Sequence, residues 1–436
     1  MRSVLSRASR ACARGFLWGA LAIGLDASAV AAPGDEPRGE LTLAQAIEAA
    51  LACNPDLIAS RYELTAAQAR IVQARLRPNP TLDLELENFA GSGDFRGTRQ
   101  LESTLSLSQV IELGGKRALR ESVASADRDL VSVEQRARQL DVLADVTRRY
   151  LDVITAQERV QLARQTRDLA QQTLNAIDAR VQAARSPQAE ASRARIALTR
   201  AILEEGQSGT LLRAARAALA ATWGSIEPLF TSARADLFSF PELAPLPGLL
   251  DRIGRNPDLL RFASEARLRE AELRLAQAQA RPNIALALGV RHLEETNDAA
   301  LVAGFSVPLR AYDRNQGVIR ESQARRAQTD AARNSALIRA RATLYALYQE
   351  VTAARERADA LRNEAIPQAQ TALDQTQAGY ERGRFSFLEL VTAQQDLLQV
   401  RAGVIDAAAD FHRLLAELER ITNEPLTRDD PEAPLP

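Results

Sequence analysis

The apolar positions of the chain follow two rhythms. Between Gly115 and Arg185 they run Leu119, Val123, Ala126, Leu130, Val133, Ala137, Leu140, Ala144, Thr147, Leu151 and Ile154, spaced alternately by four and three. That is a heptad repeat, which predicts helices packed in a left-handed supercoil. After Ile154 the phase slips by one residue, to Leu162, Thr166, Leu169 and Thr173. Residues 116–205 hold no glycine and no proline except Pro187, so one uninterrupted helix is expected from Gly115 to Arg185. About 70 residues at about 1.5 Å each make a rod of roughly 105 Å. No compact domain needs such a rod; it spans a distance.

The second rhythm has a period of two. Leu82, Leu84 and Leu86 alternate with Asp83, Glu85 and Glu87 within Thr81 to Phe89. After a turn over Ala90 to Thr98, Leu101, Ser103, Leu105 and Leu107 alternate with Glu102, Thr104, Ser106 and Ser108. The same plan returns later: Ile284, Leu286, Leu288 and Val290, a turn over Glu294 to Asp298, then Leu301, Ala303, Phe305 and Val307. These segments predict two β-hairpins, the first with carboxylates along one face.

The chain contains its own copy. Asn54-Pro55-Asp56-Leu57 recurs as Asn256-Pro257-Asp258-Leu259, Arg77-Pro78-Asn79 as Arg281-Pro282-Asn283, and Glu190 is matched by Glu389, all at offsets near 200 residues. A period of that size indicates a duplicated domain rather than a short solenoid repeat. The halves are expected over 41–222 and 248–424, with a proline-rich linker over 223–247 and a flexible tail over 425–436. Each half reads helix, strand, loop, strand, very long helix, turn, helix. The opening helix of half one is expected to run from Thr42 to just before Pro78. Ser186 and Pro187 suit the start of the helix after the first turn, Ser186 as cap and Pro187 at the first position. Leu130, Leu140, Leu344 and Val351 are expected on a buried seam.

Both helices that flank a hairpin leave from the same side of it, so the strands lie at one end of the rod and the helical turns at the other. Four strands cannot close a barrel; about eight are the minimum. Either several chains pool their strands in a membrane, or solvated hairpins cap a soluble coiled coil. Residues 1–31 read as a secretory signal peptide: Arg2, Arg7, Arg10 and Arg14, an apolar stretch from Gly15 to Leu25, then Ala29-Val30-Ala31. The remainder has one cysteine, Cys53, and so no internal disulfide. A net charge of -1 gives no bulk attraction to nucleic acid. No apolar run is long enough for a transmembrane helix.

Catalytic and metal chemistry find little support. The two histidines, His292 and His412, and Cys53 are not at ligand spacing. Gly114-Gly115-Lys116-Arg117 lacks the upstream glycine and the Ser/Thr of a phosphate loop and reads as a tight strand-to-helix turn. No enzyme activity, cofactor or resident metal is expected.

Several segments together resemble the TolC family of outer-membrane efflux channels, from Leu41 to Asn423. They are LTLAQAIEAALACNPDL, RPNP before the first strand, SQVIELGGKR after the second, SVPLRAYDRNQG in the second half, and the turn GYERGRFSFLEL from Gly379 to Leu390. ELGGKR and DRNQG look most like the cobalt-zinc-cadmium resistance branch, which serves heavy-metal exporters. The resemblance implies a mainly α fold with a small β part. It implies a homotrimer with a 12-stranded barrel in outer-membrane lipid and an α-helical tunnel across the periplasm of a Gram-negative cell. It also implies a periplasmic adaptor, or membrane fusion, protein and an inner-membrane proton-driven pump as partners. Such a channel is a passive exit duct, here for heavy-metal cations.

By the same resemblance Glu190 and Glu389 face the narrow periplasmic end, with Tyr380 and Arg384 placed to brace it. The alternative for the two glutamates is a first-turn residue favoured by the helix dipole. The family's second carboxylate is replaced by Thr392, and its usual turn glycine by Ala184, which suggests a tighter or shifted first turn. Asp83, Glu85 and Glu87 would line the barrel lumen, as ordinary polar filling or as a cation filter. Two other functions fit a long helical hairpin. One is a secreted periplasmic coiled-coil scaffold. The other is the efflux adaptor itself, although no lipoyl-like β domain is evident.

Overall fold

The structure, a computed structural model, describes residues 36–423. The signal peptide and the tail lie outside the described residues. The first half opens with β1 (Gly39–Leu41) and α1 (Leu43–Cys53). Thr42 caps α1 in a reciprocal box with Gln45: Gln45 N donates to Thr42 Oγ1 at 3.3 Å, and Thr42 N to Gln45 Oε1 at 3.0 Å. The opening helix is not continuous. Pro55 has no N–H and clashes with a preceding helical turn, so Asn54 is extended (φ -61°, ψ 124°) and a new helix, α2 (Pro55–Ala74), begins.

After α2 come β2 (Thr81–Glu87) and β3 (Glu102–Ile111). Then α3 (Lys116–Gln182) runs unbroken for 67 residues, roughly 100 Å. The chain reverses into α4 (Gln188–Ala220). The second half adds α5 (Leu246–Arg252), α6 (Pro257–Gln279), β5 (Ile284–Leu293), β6 (Asp298–Ser306), α7 (Gln316–Ala360), α8 (Ile366–Glu381) and α9 (Phe387–Thr422). Its long helix differs from α3: a π-helical turn, Leu361–Ala365, separates α7 from α8 just before Pro367. A proline ring collides with the carbonyl four residues back, and a wider turn accommodates it. In α3, which has no proline, nothing interrupts the ladder.

The repeated asparagines close each half on itself. Asn54 Oδ1 accepts from Asp56 N and Leu57 N, both at 3.0 Å, while Nδ2 donates to Thr222 O at 2.8 Å. Asn256 Oδ1 accepts from Asp258 N at 2.7 Å, while Nδ2 donates to Arg420 O and Ile421 O at 3.0 and 2.9 Å. One side chain thus caps a helix start and ties it to the end of the last helix of the same half.

The segment read as a linker is packed. β4 (Phe230–Ala233) pairs in parallel with β1. Both dock on α3: Gln157 exchanges two hydrogen bonds with the backbone of Ala233, at 2.8 and 2.9 Å. The Tyr150 hydroxyl reaches Arg234 O at 2.7 Å and Leu41 O at 3.0 Å. Phe230 and Leu237 are buried with Val146, Val153 and Leu219. Two further apolar clusters hold the rod, one at the helical turns around Ile177 and Leu390, one around Leu344, Val351 and Phe411. Leu344 and Val351 are fully buried, whereas Leu130 and Leu140 are only half-buried in the single chain, where Val131 and Ala144 are the buried side chains of that stretch of α3. Arg159–Asp406 and Arg413–Asp152, both at 2.6 Å, and Arg420–Asp141 join α3 to α9.

The four longer strands form one antiparallel sheet in the order β2-β3-β5-β6. Its register puts Leu84, Leu105, Val290 and Leu301 in one row and Leu82, Leu107, Leu288 and Ala303 in the next. At Gly114 (φ +79°) a Cβ would lie 2.8 Å from Arg281 Cδ, so the corners before α3 and β5 meet closely. Lys116 is buried there and donates to Arg281 O at 2.6 Å and to Asn283 Oδ1.

Candidate functional site

The sheet gathers its charged side chains on one face and most of its large apolar ones on the other. Leu82, Leu84, Leu105, Leu107, Leu286, Leu288, Val290, Leu301 and Phe305 share one face and are 46% to 84% exposed. Every Asp, Glu and Arg of the four strands is on the other face: Asp83, Glu85, Glu87, Glu102, Arg291 and Asp298. Arg291, which the sequence pattern did not single out, organises that face. It donates to Glu102 Oε2 at 2.7 Å and Thr104 Oγ1 at 2.9 Å, and pairs with Glu87 Oε2 at 2.9 Å. Glu87 is therefore tied up, while Asp83 and Glu85 remain exposed.

At the opposite end, the two helical turns share one hydrogen-bond pattern. Arg185 N donates to Arg180 O at 2.8 Å and Ala184 N to Val181 O at 3.0 Å; Arg384 N donates to Gly379 O at 2.8 Å and Gly383 N to Tyr380 O at 3.0 Å. Ala184 takes φ +54° where Gly383 takes +74°. The turn at Ala184 is neither tighter nor shifted; the alanine accepts the left-handed conformation. Pro187, not Ser186, occupies the cap position of α4, because its φ of -67° with ψ 148° is extended. Ser186 Oγ instead accepts from Arg180 Nε at 3.2 Å.

The candidate tip residues separate into two settings. Tyr380 is buried, and its hydroxyl donates to Glu190 Oε2 at 3.0 Å. The Arg180 guanidinium stacks on the Tyr380 ring, 4.6 Å from the centroid. Burial and then the Glu190 carboxylate push the Tyr380 phenol up, against the Ser186 hydrogen bond, so it stays a donor. Glu389 is exposed and closes a capping box with Ser386, accepting from Ser386 N at 2.6 Å and Oγ at 2.8 Å. Those bonds hold its carboxyl below the usual range. Arg384 is exposed and makes no side-chain hydrogen bond or ion pair among the described residues. Arg180 was missed from the sequence. With Ala184 aligned to Gly383, Arg180 and Ser186 sit where Gly379 and Phe385 sit, a swap of large and small partners. A Cβ on Gly379 would fall 2.0 Å from the Phe385 ring.

No helix among the described residues is long and apolar enough to cross a membrane. His292 lies 3.4 Å from Glu294 at the sheet, and His412 reaches Leu237 O at 3.0 Å in the middle of the rod.

Comparison with known proteins decides the family. Residues 46–225 and 251–424 match the outer membrane efflux protein family. The chain belongs to it. This family member is 32% identical over 390 residues to the cobalt-zinc-cadmium resistance protein CzcC of Cupriavidus metallidurans, covering 88% of this chain and 91% of that one. In fold it is similar to a membrane protein from Pseudomonas aeruginosa (TM-score 0.74, 21% identity, 89% and 92% of the two chains). It is also similar to CusC, whose crystal structures concern folding and transmembrane channel formation (TM-score 0.73, 17% identity, 87% and 91%). The chain is an outer-membrane efflux channel protein, mainly helical with a minor sheet.

Proposed function

We propose that three copies pool β2, β3, β5 and β6 into a 12-stranded barrel in the outer membrane, and that their long helices form a tunnel through the periplasm. Conduction is passive. A proton-driven inner-membrane pump supplies the energy, a periplasmic adaptor joins pump to channel, and the cargo is heavy-metal cations, in keeping with the resistance relatives. The division of the sheet into a charged face and an exposed apolar face carries this reading. β2 and β6 each leave one edge unpaired, and in lipid every unsatisfied backbone group costs several kcal/mol. The net-acidic face suits cations in the lumen. Leu84→Arg should cost about 2–4 kcal/mol at the bilayer midplane and reduce trimer recovered from outer membranes, while Glu85→Arg should be tolerated. Equal recovery of both would overturn the barrel. For the cargo, the gene should restore resistance to zinc, cobalt or cadmium in a strain lacking it; restored resistance to drugs alone would reassign it.

At the tip, Glu190 and Glu389 from three copies ring a narrow opening. Tyr380 braces it within each chain, and Arg384, without a side-chain partner among the described residues, braces it against a neighbour. Like charges gathered between low-dielectric walls favour bound cations. The closed channel should therefore be cation-selective and blocked by divalent ions from the periplasmic side. Replacing both glutamates by glutamine should reduce the reversal potential and the block in planar bilayers and leave trimer stability unchanged. An unaltered reversal potential would make them helix-start residues and leave selectivity to Asp83 and Glu85.

A further inference from the structure

The level where the strands meet the helices carries a charge that the function above does not use. Arg77 follows α2, Arg117 lies in the first turn of α3, Arg281 follows α6, and Arg310 and Arg314 lie between β6 and α7. All are exposed except Arg310, which is half-buried. Among the described residues no carboxylate pairs with any of them. Two of the acids at this level already hold other cations, Glu112 with Arg120 and Glu121 with Arg75 at 2.8 Å; Asp313 accepts from Asn315 N at 2.8 Å and keeps its charge, one against five arginines. Lys116 is buried at the same level, and burial and then the Arg310 charge hold its pKa below the usual lysine range.

A second, independent feature lies in the same loop. Leu309 and Tyr312 are each 92% exposed. An aliphatic and an amphipathic aromatic side chain set between arginines is the composition of a membrane interface, where the ring sits at headgroup depth and long cationic stems reach the phosphates. The opposite rim differs: its turns mix Asp94, Glu294 and Glu295 with Arg96 and Arg99. Strands of nine or ten residues at about 3.4 Å each and a tilt of about 40° rise about 25 Å, the height of a barrel's apolar band. The basic level thus falls where that band ends.

We propose that this collar binds the phosphodiester headgroups of phospholipids in the periplasm-facing leaflet. The arginines donate to phosphate oxygens, and Leu309 and Tyr312 enter the boundary between headgroups and acyl chains. Net-anionic headgroups bind best, because the five arginines outnumber Asp313, the one carboxylate of the level that no cation holds among the described residues. The inference rests on the barrel reading.

The test uses the full-length trimer reconstituted in phosphatidylcholine vesicles with and without phosphatidylglycerol, melting being followed by loss of the heat-resistant trimer on gels. For the wild type, phosphatidylglycerol should raise the melting temperature by several degrees, and added salt should shrink the shift. Arg77→Gln/Arg310→Gln/Arg314→Gln should lose most of the shift while melting normally in phosphatidylcholine. The corresponding triple lysine variant should retain it. If the triple glutamine variant does not assemble, Arg314→Gln alone should lose part of the shift. An undiminished shift in the glutamine variants overturns the collar. So does a drop in their melting temperature in detergent free of lipid, which would seat the arginines against a neighbouring copy. A wild-type protein that forms no heat-resistant trimer in either vesicle refutes the barrel reading itself, before any variant is compared.

Discussion

Ala184 holds a backbone conformation that costs an L-residue about 1–2 kcal/mol, yet its turn has the same hydrogen bonds as the turn at Gly383. Ala184→Gly should therefore stabilise the protein by about 0.5–1 kcal/mol, after allowing for the entropy glycine adds to the unfolded chain. Denaturant unfolding checks this, and Gly383→Ala should shift the midpoint the other way. His412 stacks on Phe240 and is half-buried beneath the inter-half segment, and desolvation there lowers its pKa despite the bond to Leu237 O. The folded state thus prefers the neutral ring. That contribution is present above the unfolded pKa of about 6.5 and is lost as pH falls through the lower folded value. Stability measured from pH 7 downward should decline, and His412→Asn should flatten the decline. At this scale the sequence was legible through its duplication, which pairs Glu190 with Glu389, and through the family resemblance, which marks Ala184 as a glycine position. The partners of Tyr380 were not legible. Arg180, Ser186 and Glu190 meet it only once the two turns are brought side by side.

Elements were read best where a period ran long. The heptad pattern of α3 extends over many turns, so the helix was legible, although the residues it buries, such as Val131, Val146 and Val153, fall off the expected register; the alternating strands are long enough for a period of two to show. β1 and β4 are three and four residues long, too short for any period, and the prolines around β4 made its segment look like a linker. The breaks at Pro55 and Pro367 follow from the proline ring, yet the opening helix was expected to run through Pro55 to just before Pro78. Asn256→Ala should cost about 1–2 kcal/mol, since it removes a cap and leaves two carbonyls short of a donor. Leu344→Ala should cost about 2–5 kcal/mol, as its fully buried site implies. The half-buried Leu140, truncated likewise, should cost less in the dissociated chain. Arg413→Ala should stay within about 1 kcal/mol, because its partner Asp152 is also half-exposed. Chemical unfolding in detergent ranks these variants.

For the whole molecule, the separation of a charged from an apolar sheet face was visible as alternation, but Arg291 was not visible as the clamp on Glu87 and Glu102. That needs the register of β5 against β3, a pairing between the two halves that local pattern does not specify. The joint at Lys116 is likewise a contact between halves, with the first lending the ammonium and the second the carbonyl and amide oxygens. Lys116→Met should leave both oxygens unpaired and cost about 2–4 kcal/mol, read as loss of assembled protein. Lys116 is also the chain's only lysine; all other basic side chains are arginines. Amine-directed acylating reagents therefore have no exposed ε-amino group to attack in the folded protein. A lysine-specific endopeptidase has a single bond to cut, after residue 116, and reaches it only when the joint opens. The rate of that one cleavage is a clock for the opening of the joint, free of background from any other site.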